Sequence, residues 1–208
     1  MHPNPIFRPD DRDQALAMAD NRGFGVLTLA GPDGVLASHV PFVREGDDLQ
    51  AHLVRSNRMT RVLRKGPVTA LMIVSGPDAY ISPDWYQMDD QVPTWNYVAV
   101  HIRGTLRLLE DTELLAHLEA IAEHNETQLL PKKPWTYGKM TDGLMERMMR
   151  GIVPVAMSVE DVDATWKLNQ NKSADARAAA ADMVATSPIG QGQQEMARLM
   201  RAVEAPSD

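Results

Sequence analysis

Between residues 24 and 54 the chain takes up a period of two. FGVLTL (24–29), VLASHVPFV (35–43) and LQAHLV (49–54) are separated only by GPDG (31–34) and REGDD (44–48). Alternating apolar and polar residues put one face of a strand into a core and the other outside it. Turns this short join only strands that run in opposite directions, so the segment predicts an antiparallel meander. The pattern resumes in VTALMIVS (68–75), WNYVAVHIRGTLRLL (95–109) and IVPVAMSVE (152–160). In 95–109, Val98, Val100, Ile102, Leu106 and Leu108 share one face, while Tyr97, Ala99, His101, Arg103 and Arg107 share the other. Pro154 suits an edge or a bulge.

Helical stretches lie between and after the strands. Asp10 or Asp11 caps a short helix with the stripe Ala15, Leu16 and Ala19, which Gly23 ends. Ser56 is the expected N-cap of a helix over 56–66, with Gly66 as its stop. Asp111 is expected to cap a longer helix over 111–126, a shorter one covers 141–151, and the Ala-rich stretch from 173 is helical with a break at 187–193. About six strands with inserted helices predict a mainly β, α+β chain, a closed or partly closed antiparallel barrel with peripheral helices. We expect one domain over 1–208 with a helical C-terminal extension over 173–208.

Composition removes several functions. The chain has no cysteine, hence no disulfide, thiolate nucleophile or Cys-ligated metal. Its start carries no apolar signal region and no apolar run is long enough to span a bilayer, so a cytoplasmic location is expected. With 28 acidic against 21 basic residues the formal net charge is -7, which opposes broad attraction to nucleic acid or anionic membrane. Direct DNA binding is expected to be absent or weak, as salt-dependent retention of a defined duplex would show.

Three groups of residues can carry chemistry. Arg55, Arg58, Arg61, Arg64 and Lys65 crowd residues 55–65, and the first three recur every three positions along one helical face. That suits a phosphate or another dianion, or a solvated helix face. His39 and His52 lie on neighbouring strands of a predicted hairpin, nearly opposite each other, and His101 could approach them through the fold. Such histidines can hold a ligand by hydrogen bonds, or a metal or haem iron. Lastly, GPDAYISPDWY (76–86) and PTWNY (93–97) gather Trp and Tyr among Pro, Ser, Asp and Asn. Trp85, Tyr86, Trp95 and Tyr97 offer flat faces with polar tips, either as a pocket wall or as an anchor for the loop.

The blocks SHVPF, AHLVRSNRM, GPDAYISPDWY, VPTWNYVAVHIRG and WKLNQNK occur in the order found in the PaiB-like proteins, which the chain resembles over roughly residues 1 to 200. That family is described as FMN-binding negative transcriptional regulators. The resemblance implies a split β-barrel of the pyridoxamine-phosphate-oxidase type, usually a homodimer with FMN at the subunit interface. It places His39, Val40, Pro41, His52 and Leu53 along the isoalloxazine and ribityl chain, and Arg55, Ser56, Asn57 and Arg58 at the phosphate. Here Asn57-Arg58 stands where related oxidases carry two cations. Lys167 and Gln170, within KLNQNK, would return to the cofactor edge, and Asn169 replaces a more usual Ser. Trp85, Tyr86, Trp95, Tyr97 and His101 would wall the pocket.

Three functions follow as expectations: a flavin-dependent oxidoreductase or flavin-binding regulator, a transcriptional repressor acting directly or indirectly, or a haem- or metal-binding barrel using His39, His52 or His101. The polar-aromatic face of 95–109 and the Met-rich LMERMMRG (144–151) offer more apolar surface than a 23.1 kDa monomer would leave bare. A homodimer is therefore the expected species in light scattering at micromolar concentration, and a clean monomer mass would remove an interfacial cofactor site with it.

Overall fold

A computed structural model describes residues 1–8 and 11–203. The strands are β1 (Phe24–Gly31), β2 (Gly34–Glu45), β3 (Asp48–Val54), β4 (Val68–Ile81), β5 (Thr94–Leu108), β6 (Ile152–Ser158), β7 (Asp161–Lys167) and the short β8 (Gly190–Gln191). They hydrogen-bond in the order β7-β5-β6-β3-β2-β1-β4-β8, with β5 also pairing with β4. The helices are α1 (Arg12–Arg22), α2 (Arg58–Leu63), α3 (Leu114–Thr127), α4 (Leu144–Met149), α5 (Ala174–Val184) and α6 (Gln193–Arg201).

The expected meander is present. Antiparallel β1 and β2 are paired from Phe24–Pro41 down to Gly31–Gly34, leaving Pro32 and Asp33 as the turn. β2 and β3 pair from Phe42–Ala51 to Glu45–Asp48, with Gly46 in the left-handed region at φ 61°. Alternation then builds the core: Val40, Phe42, Leu49, Ala51 and Leu53 are buried while their chain neighbours are not. Each such fully buried large apolar side chain contributes about 1.5–3 kcal/mol.

Several boundaries differ from the sequence reading. β4 runs on through Gly76 and Pro77 to Ile81, so half of the expected aromatic loop is strand. β7 was not expected, because its residues DVDATWK mix acids into the alternation. Asn57 rather than Ser56 caps α2, its Oδ1 accepting the Met59 N–H at 2.9 Å. Before α3, a 3-10 turn over Asp111–Glu113 is closed by a capping box between Glu110 and Glu113, so Asp111 is not the cap. Asp10 lies outside the described residues, and Asp11 Oδ1 accepts the Asp13 N–H at 2.8 Å.

The chain forms two compact units that alternate along the sequence. One comprises Ala19–Val74 and Ile102–Val162, the other Met1–Met18, Ser75–His101 and Asp163–Asp208. In the first, strands β1, β2, β3 and β6 surround the buried face just described. In the second, the aromatic segment and the C-terminal helices share a core of Ile81, Tyr86, Val98, Ala180, Met196 and Met200. Ser173 caps α5 by accepting the Ala176 N–H. Arg177 on α5, only 5 % exposed, donates to the carbonyls of Met200 (3.0 Å), Val203 (2.9 Å) and Lys172 (3.3 Å). These include carbonyls at the end of α6 that a helix leaves unpaired.

Gly104 marks where β5 crosses β6 most closely: a Cβ there would stand 1.5 Å from the Ser158 carbonyl oxygen. That neighbour is backbone, which cannot turn aside. Gly104→Ala is expected to cost at least about 3 kcal/mol, the upper range of overpacking, read as a lowered urea midpoint. A midpoint within experimental scatter of the parent protein would refute the close approach.

Candidate functional site

The residues singled out from the sequence fall into two groups, each inside its own unit. In the first, β2 presents His39 outward, while half-buried Ser38 lies on the same face as Val40, which turns into the core. The exposed His39 ring stacks at 26° on Phe24, with centroids 6.1 Å apart. Asn57, at the head of α2, donates through Nδ2 to Ser38 Oγ at 2.9 Å. That bond brings SHVP and RSNR, 19 positions apart in sequence, into direct contact. Ser56 is exposed beside it, and among the described residues Arg58 pairs only with Asp33, at 3.0 Å, both side chains well exposed at 62 % and 76 %. An ion pair so open to water is weak, which leaves the Arg58 guanidinium able to take another anion.

Other residues of this group are committed elsewhere. Val40 and Leu53 are 3 % and 2 % exposed, so only their backbone can line a site. Arg55 donates to the carbonyls of Arg150 and Ile152 and to Asp111, tying the end of β3 to the start of β6. The β2–β3 register, carried one step past Phe42–Ala51, sets His52 across from Pro41 rather than His39.

The partner of His52 is instead His117, which the sequence reading missed. His52 Nδ1 and His117 Nε2 are 3.1 Å apart, and His117 is 2 % exposed. Its other nitrogen, Nδ1, is buried with no partner among the described residues. Burial lowers the pKa of both rings, and that of His117, which also feels a positive charge on His52, falls to about 4. The available signal was the apolar stripe of α3: His117 falls between Leu114 and Ile121 at helical spacing, a position that faces the interior.

In the second unit the aromatic residues form a chain rather than a flat wall. Tyr80 meets Trp85 and Trp95 edge-on, with centroids 6.4 and 6.2 Å apart. Tyr86 is core, 2 % exposed, its hydroxyl donating to Asn169 Oδ1 at 3.2 Å. Tyr97 and His101 are half-buried. Lys167 Nζ donates to Thr94 Oγ1 at 2.6 Å, and burial lowers its pKa. Gln170 bends back on its own turn, its Oε1 accepting the Leu168 N–H and its Nε2 donating to the Trp166 carbonyl. Asn169 at φ 63° makes this possible. Lys172 lies 5.0 Å from the centre of the Tyr86 ring and donates to Gln91 Oε1.

The metal reading of His39, His52 and His101 finds no support: among the described residues no three His, Cys, Asp or Glu side chains gather as a metal site would need. For FMN the first group fits better. The His39 and Phe24 rings stack on the outer side of the sheet, the Asn57–Ser38 bond ties β2 to the start of α2, and Ser56 and Arg58 are exposed there. Among the described residues no helix is long and apolar enough to cross a membrane.

Residues 1–161 match a family model described as "Putative FMN-binding domain". Over 171 residues the chain is 30% identical to Protease synthase and sporulation protein PAI 2 of Bacillus subtilis (strain 168), across 80% of this chain and 81% of that protein. Its fold is similar to that of an FAD and haem binding protein from Mycobacterium smegmatis, with TM-score 0.55, 14% identity, and coverage of 77% of this chain and 73% of that one. It is also similar to the flavocytochrome Anf3 from Azotobacter vinelandii, with TM-score 0.56, 12% identity, and coverage of 80% and 72%. At such identities the likeness is one of fold, the split barrel of the pyridoxamine-phosphate-oxidase type.

The histidine couple makes stability depend on pH with a definite sign. Folding favours the neutral rings, so the unfolded chain binds more protons between its ordinary histidine pKa and the depressed one. Stability from this source is full above about pH 6.5 and falls as pH drops toward 4, by up to about 3 kcal/mol for His117. Urea unfolding at pH 7.5 and pH 5.0 is expected to show this loss in the parent protein and a smaller one in His117→Gln. Equal losses in both would rule out His117 as the source.

Proposed function

The chain belongs to the FMN-binding domain family whose model it matches, and we propose that it is a flavin-dependent oxidoreductase or flavin carrier holding FMN against the outer face of β2, with the phosphate at Ser56 and Arg58. The observation that carries this reading is the Asn57–Ser38 hydrogen bond, which fixes the ring-facing strand beside the phosphate-facing residues. His39 would lie along the ring system, its imidazole already stacked on Phe24 at 26°. The backbone of Val40 and Leu53, and Pro41, would line the ribityl chain. Arg58 would exchange Asp33 for the phosphate, a doubly charged partner that accepts charge-assisted bonds. Bound FMN supplies hydride or single-electron transfer, and the protein's part is orientation and charge tuning.

We infer that the chain forms a homodimer. Large apolar side chains left open support a partner copy: Val35 is 79% exposed, Leu130 63% and Met148 61%. Trp95, also open, and the lysine-bearing turn of 167–172 would serve the cofactor edge in that assembly. Lys167 and Gln170 would do so only after giving up their present internal bonds. A direct repressor is the weaker reading, since α2, the arginine-bearing helix, is six residues long and the net charge is -7.

Arg58→Ala removes a charge-assisted bond, so FMN affinity is expected to fall by about ten- to a hundredfold. Arg64→Ala, at the C-terminal end of the same helix, is the control for charge alone. Riboflavin, lacking the phosphate, should bind more weakly and respond little to Arg58→Ala. Flavin fluorescence titrations of both ligands against the three proteins give the comparison. Equal FMN affinity for the parent and Arg58→Ala would sink the phosphate assignment, and a haem spectrum with no flavin bound would sink the cofactor.

A further inference from the structure

Beside the proposed flavin residues lies a separate feature of the first unit. A cleft of about 280 Å³ opens between the β1–β2 turn and the outer side of α2, lined by Pro32, Asp33, Leu36, Arg58, Arg61, Val62 and Lys65. Three cations and one carboxylate therefore share one small cavity, in a chain whose net charge is -7. Arg58 pairs with Asp33 across it. Arg61 and Lys65 have no ion pair or hydrogen bond from their charged groups among the described residues, although acidic side chains are plentiful elsewhere on the surface. Arg58 and Arg61 stand about one turn apart on α2, and Lys65 follows two residues past its end. FMN carries a single phosphate monoester, which Ser56 and Arg58 can meet by themselves. Two cations are left beyond that need.

We propose that this cleft binds a condensed phosphate, the diphosphate or triphosphate group of a small ligand. A row of guanidinium and ammonium groups matches consecutive phosphates. Arg offers a planar fork that grips two oxygens, and Lys a compact point charge. Leu36 and Val62 give the cleft an apolar flank, and the rigid Pro32 turn sets its width. A nucleic-acid backbone fits less well, because a duplex would extend beyond this small cleft over a chain of net charge -7. The cleft shares Arg58 with the proposed FMN phosphate site, while Arg61 and Lys65 belong to the cleft alone.

The test is calorimetric titration, in low salt without divalent cations, of orthophosphate, pyrophosphate and tripolyphosphate into the parent protein, Arg61→Ala/Lys65→Ala and Arg64→Ala. Tripolyphosphate is expected to bind the parent at least about tenfold more tightly than orthophosphate, and the double variant to lose at least about tenfold. Arg64→Ala, whose side chain does not line the cleft, should lose less than about twofold. Both cations are exposed, and circular dichroism verifies that the variants fold. FMN affinity should be the same in the double variant as in the parent. Indifference to phosphate chain length, or equal tripolyphosphate affinity in parent and double variant, would overturn the proposal. A parallel fall in FMN affinity would also overturn it, assigning these cations to the flavin. So would a short DNA duplex that binds as tightly as tripolyphosphate and loses as much in the double variant.

Discussion

The side chain of Asn57 holds the candidate site together. Its oxygen satisfies an N–H of α2 that the helix cannot pair internally, while its nitrogen binds Ser38 on β2. One amide thus closes a helix start and joins it to a strand whose outward residues would face a ligand. An aspartate in the same place could cap the helix but could not donate to the hydroxyl. A cationic side chain there could donate to the hydroxyl but could not accept the helix N–H. At this position the chain thus has an anchoring amide, and the exposed charge beside it is that of Arg58.

Much of the fold was legible because it is written locally. Alternation in 24–54 and 95–109 states which residues turn inward, and short turns state the pairing, so β1, β2, β3 and β5 and the outward placing of His39 follow from neighbouring residues. Where strand and turn signals compete, reading fails. Gly76-Pro77 looks like the end of a strand, yet β4 passes through it, since Gly76 lets the backbone approach Val98 closely. In 161–167 three charged residues, Asp161, Asp163 and Lys167, mask a strand whose Ala164 and Thr165 are buried.

The site was legible in its parts but not in its bonding. That SHVP and RSNR belong together came from their resemblance to a family, and the bond between them appears only in three dimensions. His52 drew attention for the right reason, a polar ring on a strand, but its partner is 65 positions away, on a helix that local patterning cannot dock. The internal bonds of Gln170 depend on the left-handed backbone of Asn169, which composition does not display. Arg55, Gln170 and Tyr86 all make hydrogen bonds within the protein that their sequence positions do not announce.

Arg177 has a consequence for where the chain can be shortened. A guanidinium cannot shed its proton to escape burial, so its welfare rests on three carbonyl oxygens, one of them that of Val203. Removing the last turn of α6 would strand a permanent cation within the helical pair. The final described residues thus act as a counterweight, and the C-terminal helices stand or fall as one piece with the Tyr86 segment they pack against.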